Sequence, residues 1–374
     1  MKLKSKWTAE EIKHRLPANG GLGFLFHATD KETVSFAFEG ADWTDDELWE
    51  EQPFIGSPIF FKNQVIGAHI IIPTPAELWA TGHSGIRNFR RKQFLPALKL
   101  AEECGLNWLG LAALVPFATE FGIWGREHRS LFATTGHAAT VAAIRQQVDT
   151  LGTELEFSPA NMTYAIFGAA GSIGGNCARW FARTGLGKLL LIDRLERAHQ
   201  VNALAVELQA SGQCRSVGCH FSTELQNLPQ FEVGIVATSN TAPWIDPDLM
   251  RRAPIWIDDS HPQAASSETE ELLAGSVIYT ECFLRGPHSL SQNFPFRLPT
   301  PRDCYACFGE VFLCWRAGMK EDFVIGAATL QQIAYADEQL RKLFFEVGPL
   351  TRKSGLPVSK KTLDCVRSAL ARRI

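Results

Sequence analysis

Short apolar runs and stretches with helical spacing alternate along most of the chain, and their order predicts its elements. Leu22 to Phe26 is the first strand candidate, with His27 at its carboxyl end. Two β-rich runs, Pro58 to Phe61 and Val65 to Ile72, flank the polar Lys62-Asn63-Gln64 and predict a hairpin. Between Gly85 and Cys104 the period changes, and Ile86, Phe89, Phe94, Leu95, Leu98 and Ala101 supply one apolar face of a helix. Arg87, Arg90, Arg91 and Lys92 fall on the opposite side. A buried strand is expected over Leu106 to Val115, and Thr134-Thr135-Gly136-His137 opens a long helix that runs on to Gly152.

The second half of the chain is organised around residues 163 to 193. An apolar run from Tyr164 to Phe167 feeds into Gly168, Gly171 and Gly174, a helical segment follows, and a second apolar run ends at Asp193. Glycine suits Gly168 because the turn is sharp, Gly171 because backbone must approach a pyrophosphate, and Gly174 because the helix packs close to the strand. The helix N-terminus adds free donors and partial positive charge, so Ala170, Ser172 and Ile173 join the candidate phosphate cradle. Beyond Asp193 come a helix over Glu196 to Ala210 and strands near Val217 to His220, Val233 to Ala237, Pro254 to Asp258 and Val277 to Thr280. That alternation predicts an α/β fold with a Rossmann-type doubly wound parallel sheet, preceded by an N-terminal α/β substrate domain. Ala237, Thr238 and Ser239 then border the nicotinamide ribose. The expected division is residues 1–157 for substrate, 158–303 for the dinucleotide, and 304–374 for C-terminal helices packing across the two, with 281–303 irregular.

Composition narrows the class. The chain has 374 residues, too many for one core, and a net charge of −3, which argues against general nucleic-acid binding. A polar N-terminus and the lack of a long apolar run point to the cytosol, and nine cysteines without a regular framework point to reduced thiols. Cys304 and Cys307 form a single CxxC at the start of an apolar helix candidate, with no second pair to suggest zinc. A helix N-terminus favours thiolate, so either cysteine is a candidate reactive thiol. The basic cluster on the first helix fits the phosphopantetheine and acidic surface of a carrier protein or the phosphates of coenzyme A; a solvated helix face carries the same pattern. The basic tail from Arg352 to Arg373 is a surface helix, with at most peripheral contact to a membrane.

The order and spacing of several blocks resemble the long-chain acyl-[acyl-carrier-protein] reductases of cyanobacteria, which supply fatty aldehyde to an aldehyde-consuming enzyme of alkane biosynthesis. The blocks are GFLFH (23–27), RRKQF (90–94), LFATTGHAATVAAIRQQVD (131–149), YAIFGAAGSIGGNCARWF (164–181) and CYACFGEVFL (304–313). The resemblance implies that an acyl thioester, on a carrier protein or coenzyme A, is attacked by a cysteine, and that hydride from NADPH then releases an aldehyde. The family's nucleophile block matches Ala306 to Glu310, which places the role on Cys307. His137 and His27 are the candidate proton donors, and Thr135 with Arg90, Arg91 and Lys92 the candidate substrate and carrier contacts.

The chain departs from the family pattern at four places. TTGHAATV stands where TTGNTHTA is common, ECFLRGP lacks a glycine pair, Gly309 replaces alanine, and Asp193-Arg194 replaces a small residue followed by arginine. Asp193 favours a ribose 2′-OH, and hence NADH, whereas Arg194 and Arg197 can hold a 2′-phosphate, and hence NADPH. Two other functions are consistent with the residues: direct hydride transfer to a carbonyl or imine with Cys307 merely packed, and a non-catalytic nucleotide-binding or carrier-docking subunit.

Overall fold

The computed structural model describes residues 6–28, 52–74, 83–294, 296–353 and 355–373. They form two compact units, one of residues 1–139, 284–327 and 335–346 and the other of 140–283, 328–334 and 347–374.

The first unit is built on a six-stranded mixed sheet. Its strands are β1 (Gly21–His27), β2 (Phe54–Phe61), β3 (Gln64–Ile72), β4 (Leu106–Leu111) and β5 (Phe132–Thr134), with Leu290–Gln292 added at one edge. β2 and β3 are the expected hairpin, paired antiparallel around Lys62 and Asn63, both at positive φ. β1 runs parallel to β3 and β4, and all seven of its residues are buried, as strands covered on both faces require. The helical stretch after residue 83 is not one regular helix. His83–Phe89 and Leu95–Glu103 are α-helical, and Arg90–Phe94 between them is a π turn. Ala97, Leu98 and Ala101 are the buried face of the second piece, in one core with Ile70, Leu109 and Ala133.

The second unit carries a wholly parallel six-stranded sheet. Its strands are β6 (Thr163–Phe167), β7 (Lys188–Asp193), β8 (Ser216–Phe221), β9 (Val233–Val236), β10 (Ile255–Asp258) and β11 (Ile278–Thr280), in the spatial order β11-β10-β9-β6-β7-β8. Read from β8, that is the 3-2-1-4-5-6 order of the Rossmann fold, whose direction reverses between β6 and β9. The two outward halves of such a sheet leave a crevice at their carboxyl ends, where ligands bind.

Three expectations from the sequence are corrected. The passage between units falls within α1 (His137–Glu154), after Ala139, and not at 157/158. Leu151 and Leu155 are buried, so the end of the helix and the loop after it belong to the packing of the second unit. The stretch 281–303 contains the strands Phe283–Arg285 and Leu290–Gln292, too short to show alternation; the second pairs antiparallel with β2. The strand from Leu106 stops at Leu111, and Val115–Ala118 is a helical turn with proline in its first positions, where the missing N–H costs nothing.

Candidate active site

In the first unit, Cys307 is the second residue of α3 (Ala306–Arg316). Tyr305 is the N-cap, and no side-chain cap takes up the first N–H groups of the helix. The chain's other cysteines in this segment are unlike it. Cys304 and Cys314 are fully buried, and burial pushes both thiols well above their usual range, whereas Cys307 is partly exposed. Of the two cysteines in the CxxC, only Cys307 therefore has the access a nucleophile needs.

Against Cys307 lies the turn Thr134–His137. Gly136 has φ of +79°, and a Cβ added there would overlap the Cα and Cβ of Cys307. The turn is held in that place by Glu310, one helical turn after the cysteine and 0% exposed. Its carboxylate accepts hydrogen bonds from the Thr134 hydroxyl, from the Gly136 N–H at 3.0 Å and from the Ala139 N–H at 2.7 Å. It thus caps α1 from a different element. Burial raises its pKa to about 7, against the pull of these bonds, which favour the anion. Val324 ties the other side of the turn: its N–H donates to the Thr134 hydroxyl at 3.2 Å and its carbonyl accepts from the Thr135 N–H at 3.0 Å. The Thr135 side-chain oxygen is buried and has no partner among the described residues.

The two histidines expected as donors sit differently. His137 is the first residue of α1, directly after the glycine that touches Cys307, and its ring stacks edge-on with Phe121 at 5.7 Å. Burial lowers its pKa to about 4, so it is neutral at pH 7 and offers a hydrogen bond rather than an acidic proton. His27 ends β1, is 1% exposed, and donates from Nδ1 to the Ala28 carbonyl at 2.9 Å. The basic cluster is also divided. Arg90, in the π turn, is held inward by its partners: Nε donates to the Ala118 carbonyl at 2.7 Å, Nη2 pairs with Glu120 at 2.7 Å, and the guanidinium stacks on Trp124. Arg87, Arg91 and Lys92 remain exposed.

In the second unit, the glycine turn joins β6 to α2 (Ser172–Arg183). Gly168 has φ of +86°, and a Cβ there would overlap the carbonyl of Ala237 at the end of β9. A Cβ on Gly174 would overlap the Gly168 carbonyl, so α2 starts against the turn itself. Gly171 is the N-cap and is exposed, and no side chain caps the helix. Backbone that only glycine can form, leading to an uncapped helix end at the switch point, fits a pyrophosphate. Asp193 closes the far side. Its Oδ2 accepts from the Ala170 N–H at 2.8 Å and its Oδ1 from the Arg194 N–H at 2.8 Å, while Arg194 and Arg197 are exposed. Thr238, in the loop after β9, bonds through N–H and hydroxyl to Ser260 Oγ at 3.2 and 3.1 Å; Ala237 is half-buried and Ser239 exposed.

Glu310 is the residue the sequence reading did not single out. Its local signal was a glutamate on an otherwise apolar helix, three positions after the cysteine. Lys360 to Ala371 does form the expected surface helix, but Arg367 and Arg373 are turned to the protein: Arg367 to the Glu154 carbonyl, Arg373 to those of Phe231 and Arg252. Among the described residues no helix is long and apolar enough to cross a membrane.

No protein-family model matches the chain. A long-chain acyl-[acyl-carrier-protein] reductase of Synechococcus elongatus is 26% identical over 202 residues, 52% of this chain and 54% of that protein, so the match spans about half the length of the curated relative. Among solved structures, L-tryptophan dehydrogenase from Nostoc punctiforme is similar over 95% of this chain and 90% of that one, with 11% identity and a TM-score of 0.39. Malic enzyme from Pyrococcus horikoshii is similar over 96% of this chain and 78% of that one, with 12% identity and a TM-score of 0.40. The chain is therefore similar in sequence to an acyl reductase over half its length, and its second unit has the strand order of a dinucleotide-binding sheet.

Proposed function

We propose that the chain is a nicotinamide-dependent oxidoreductase that reduces an acyl thioester to an aldehyde through an S-acyl intermediate on Cys307. The observation that carries this reading is the contrast among cysteines: Cys307 is accessible at a helix start, against a turn shaped to touch it, while Cys304 and Cys314 are buried. The partial match to an acyl-carrier-protein reductase supports the choice of substrate class.

In this reaction the Cys307 thiolate attacks the thioester carbonyl, and the carrier thiolate leaves and takes up a proton. The N–H groups in the first turn of α3 are the donors this reading assigns to the oxygen on which charge develops. Bound in its reduced form, the nicotinamide supplies hydride to the acyl carbon. The resulting hemithioacetal oxyanion then collapses, breaking the carbon–sulfur bond, and Cys307 is regenerated as thiolate. Glu310 keeps the Thr134–His137 turn in place through both states, and neutral His137 contributes a hydrogen bond. Aldehyde, free carrier thiol and oxidised nicotinamide are the products, with one proton consumed.

NADPH is the proposed reductant. Arg194 and Arg197 stand exposed for a 2′-phosphate, and both Asp193 oxygens already accept backbone N–H groups, which offsets the charge that would repel it. An acyl carrier protein or coenzyme A would be met by Arg87, Arg91 and Lys92; Arg90, committed inward, serves the fold.

The test is intact mass after mixing the protein with acyl-carrier-protein and acyl-CoA substrates in the absence of reductant. One acyl group is expected on the wild type and none on Cys307→Ala, which should still bind NADPH. A wild type that stays unacylated yet oxidises NADPH with a carbonyl or imine substrate would establish direct hydride transfer instead.

A further inference from the structure

A second group of charged side chains lies at the carboxyl edge of the parallel sheet, and the reaction above does not use it. Lys353 Nζ donates to the carbonyls of Asp258 and Ser260, both at 3.1 Å, and to Glu281 Oε1 at 3.0 Å. An ammonium has three N–H bonds, so all are engaged, and the side chain is 2% exposed. The backbone on either side is pinned as well. Thr280 Oγ1 donates to the Thr351 carbonyl at 2.6 Å, and Arg352 pairs with Glu270 and Glu271 at 3.2 and 2.7 Å. Glu281 also faces His261 Nε2 at 3.1 Å.

The carbonyls that Lys353 holds belong to the turn after β10. That turn holds the loop after β9 in its place: Ser260 bonds Thr238 twice, and the Asn240 amide donates to the Pro262 carbonyl at 3.4 Å. Burying an ammonium for packing alone is unfavourable, since an apolar side chain of the same volume fills the space without the desolvation cost. What the charge does here is draw two carbonyls and a carboxylate to one point and so set the shape of the turn. Ser260 and Pro262 are thereby fixed against Thr238 and Asn240, so the turn sets the loop after β9, whose Ala237, Thr238 and Ser239 are the residues expected at the nicotinamide ribose.

We propose that Lys353 is a positioning residue for the nicotinamide end of the dinucleotide, acting through the 258–262 turn. This rests on the reading of the second unit as a nicotinamide dinucleotide site. The experiment compares wild type and Lys353→Met by titration calorimetry with NADPH and NADH, and with 2′-phospho-ADP-ribose and ADP-ribose, which lack the ring. Lys353→Met should bind the whole dinucleotide about tenfold more weakly and the fragment within about twofold of wild type. Equal weakening of both, or no change in either, overturns the assignment. If wild type binds neither fragment nor dinucleotide, the dinucleotide reading falls and this inference with it. Should Lys353→Met not fold, Glu281→Gln keeps the side-chain size and must show the same split between dinucleotide and fragment; without that split the assignment is wrong.

Discussion

Glu310 shows how much one side chain can organise. Its two oxygens satisfy a hydroxyl and two backbone N–H groups at the start of α1, and it does so from the helix that carries Cys307. Replacing it by alanine would leave those buried donors without acceptors, and Glu310→Ala should lower unfolding free energy by roughly 3 kcal/mol in urea titrations. Because the same bonds hold Gly136 against Cys307, alkylation of the cysteine by iodoacetamide should change rate in Glu310→Gln, in which an amide NH2 would oppose an N–H donor. An unchanged alkylation rate would separate Glu310 from the nucleophile. Local sequence left Cys304 and Cys307 both open and gave no sign of Glu310's partners, because Thr134 and Glu310 are 176 positions apart and no spacing pattern joins residues at that distance.

Two turns at the level of elements depend on glycine for different reasons. Gly136 must be small because the Cα and Cβ of Cys307 fill the position of its Cβ, and Gly168 because the carbonyl of Ala237 does. Both also have positive φ, which a residue with a Cβ adopts at a cost of about 1 kcal/mol or more. Gly136→Ala should abolish acylation of Cys307 and leave NADPH binding intact, whereas Gly168→Ala should abolish NADPH binding, read by nucleotide fluorescence, and leave acylation intact. Loss of both activities in either variant, with the fold retained, would contradict this assignment. The glycine turn was legible because its spacing lies within a strand, a turn and a helix that are consecutive in the chain. The π turn at Arg90–Phe94 was not, since the residues still show helical spacing and tertiary bonds of Arg90 decide where its side chain goes.

At the scale of the molecule, buried ionisable groups set the response to pH. Burial raises Glu310 to about 7 and Asp259 to about 8; for Asp259, Lys353 opposes the rise and Asp258 and Glu281 add to it. The folded chain therefore keeps protons that the unfolded chain has already released, and these two groups make stability fall as pH rises to 7 and 8. Burial lowers His69 and His137 from 6.5 to about 4, so their contribution is complete above 6.5 and is lost as pH falls toward 4. Below 6.5 the two effects oppose one another, and from 6.5 to 8 the carboxyl groups act without that opposition. Unfolding free energy measured in urea should drop by roughly 2 kcal/mol between pH 6.5 and 8, and Asp259→Asn should remove most of that drop. A flat profile over this range would show that Asp259 ionises normally.

The sequence by itself determined the parallel α/β sheet of the second unit, its glycine turn, the β2–β3 hairpin and the cysteine at a helix start. Each of these arises from residues near one another in the chain, where periodicity, turn chemistry and helix ends act. Only the tertiary structure decided that Cys304 is buried and Cys307 is not, that Arg90 points inward, that Leu290–Gln292 completes the first sheet, and that Lys353 meets Asp258, Ser260 and Glu281. Those outcomes depend on which distant segments remove water from a side chain and supply its partners. Burial and pairing of that kind are set by packing, which no single stretch of the chain contains.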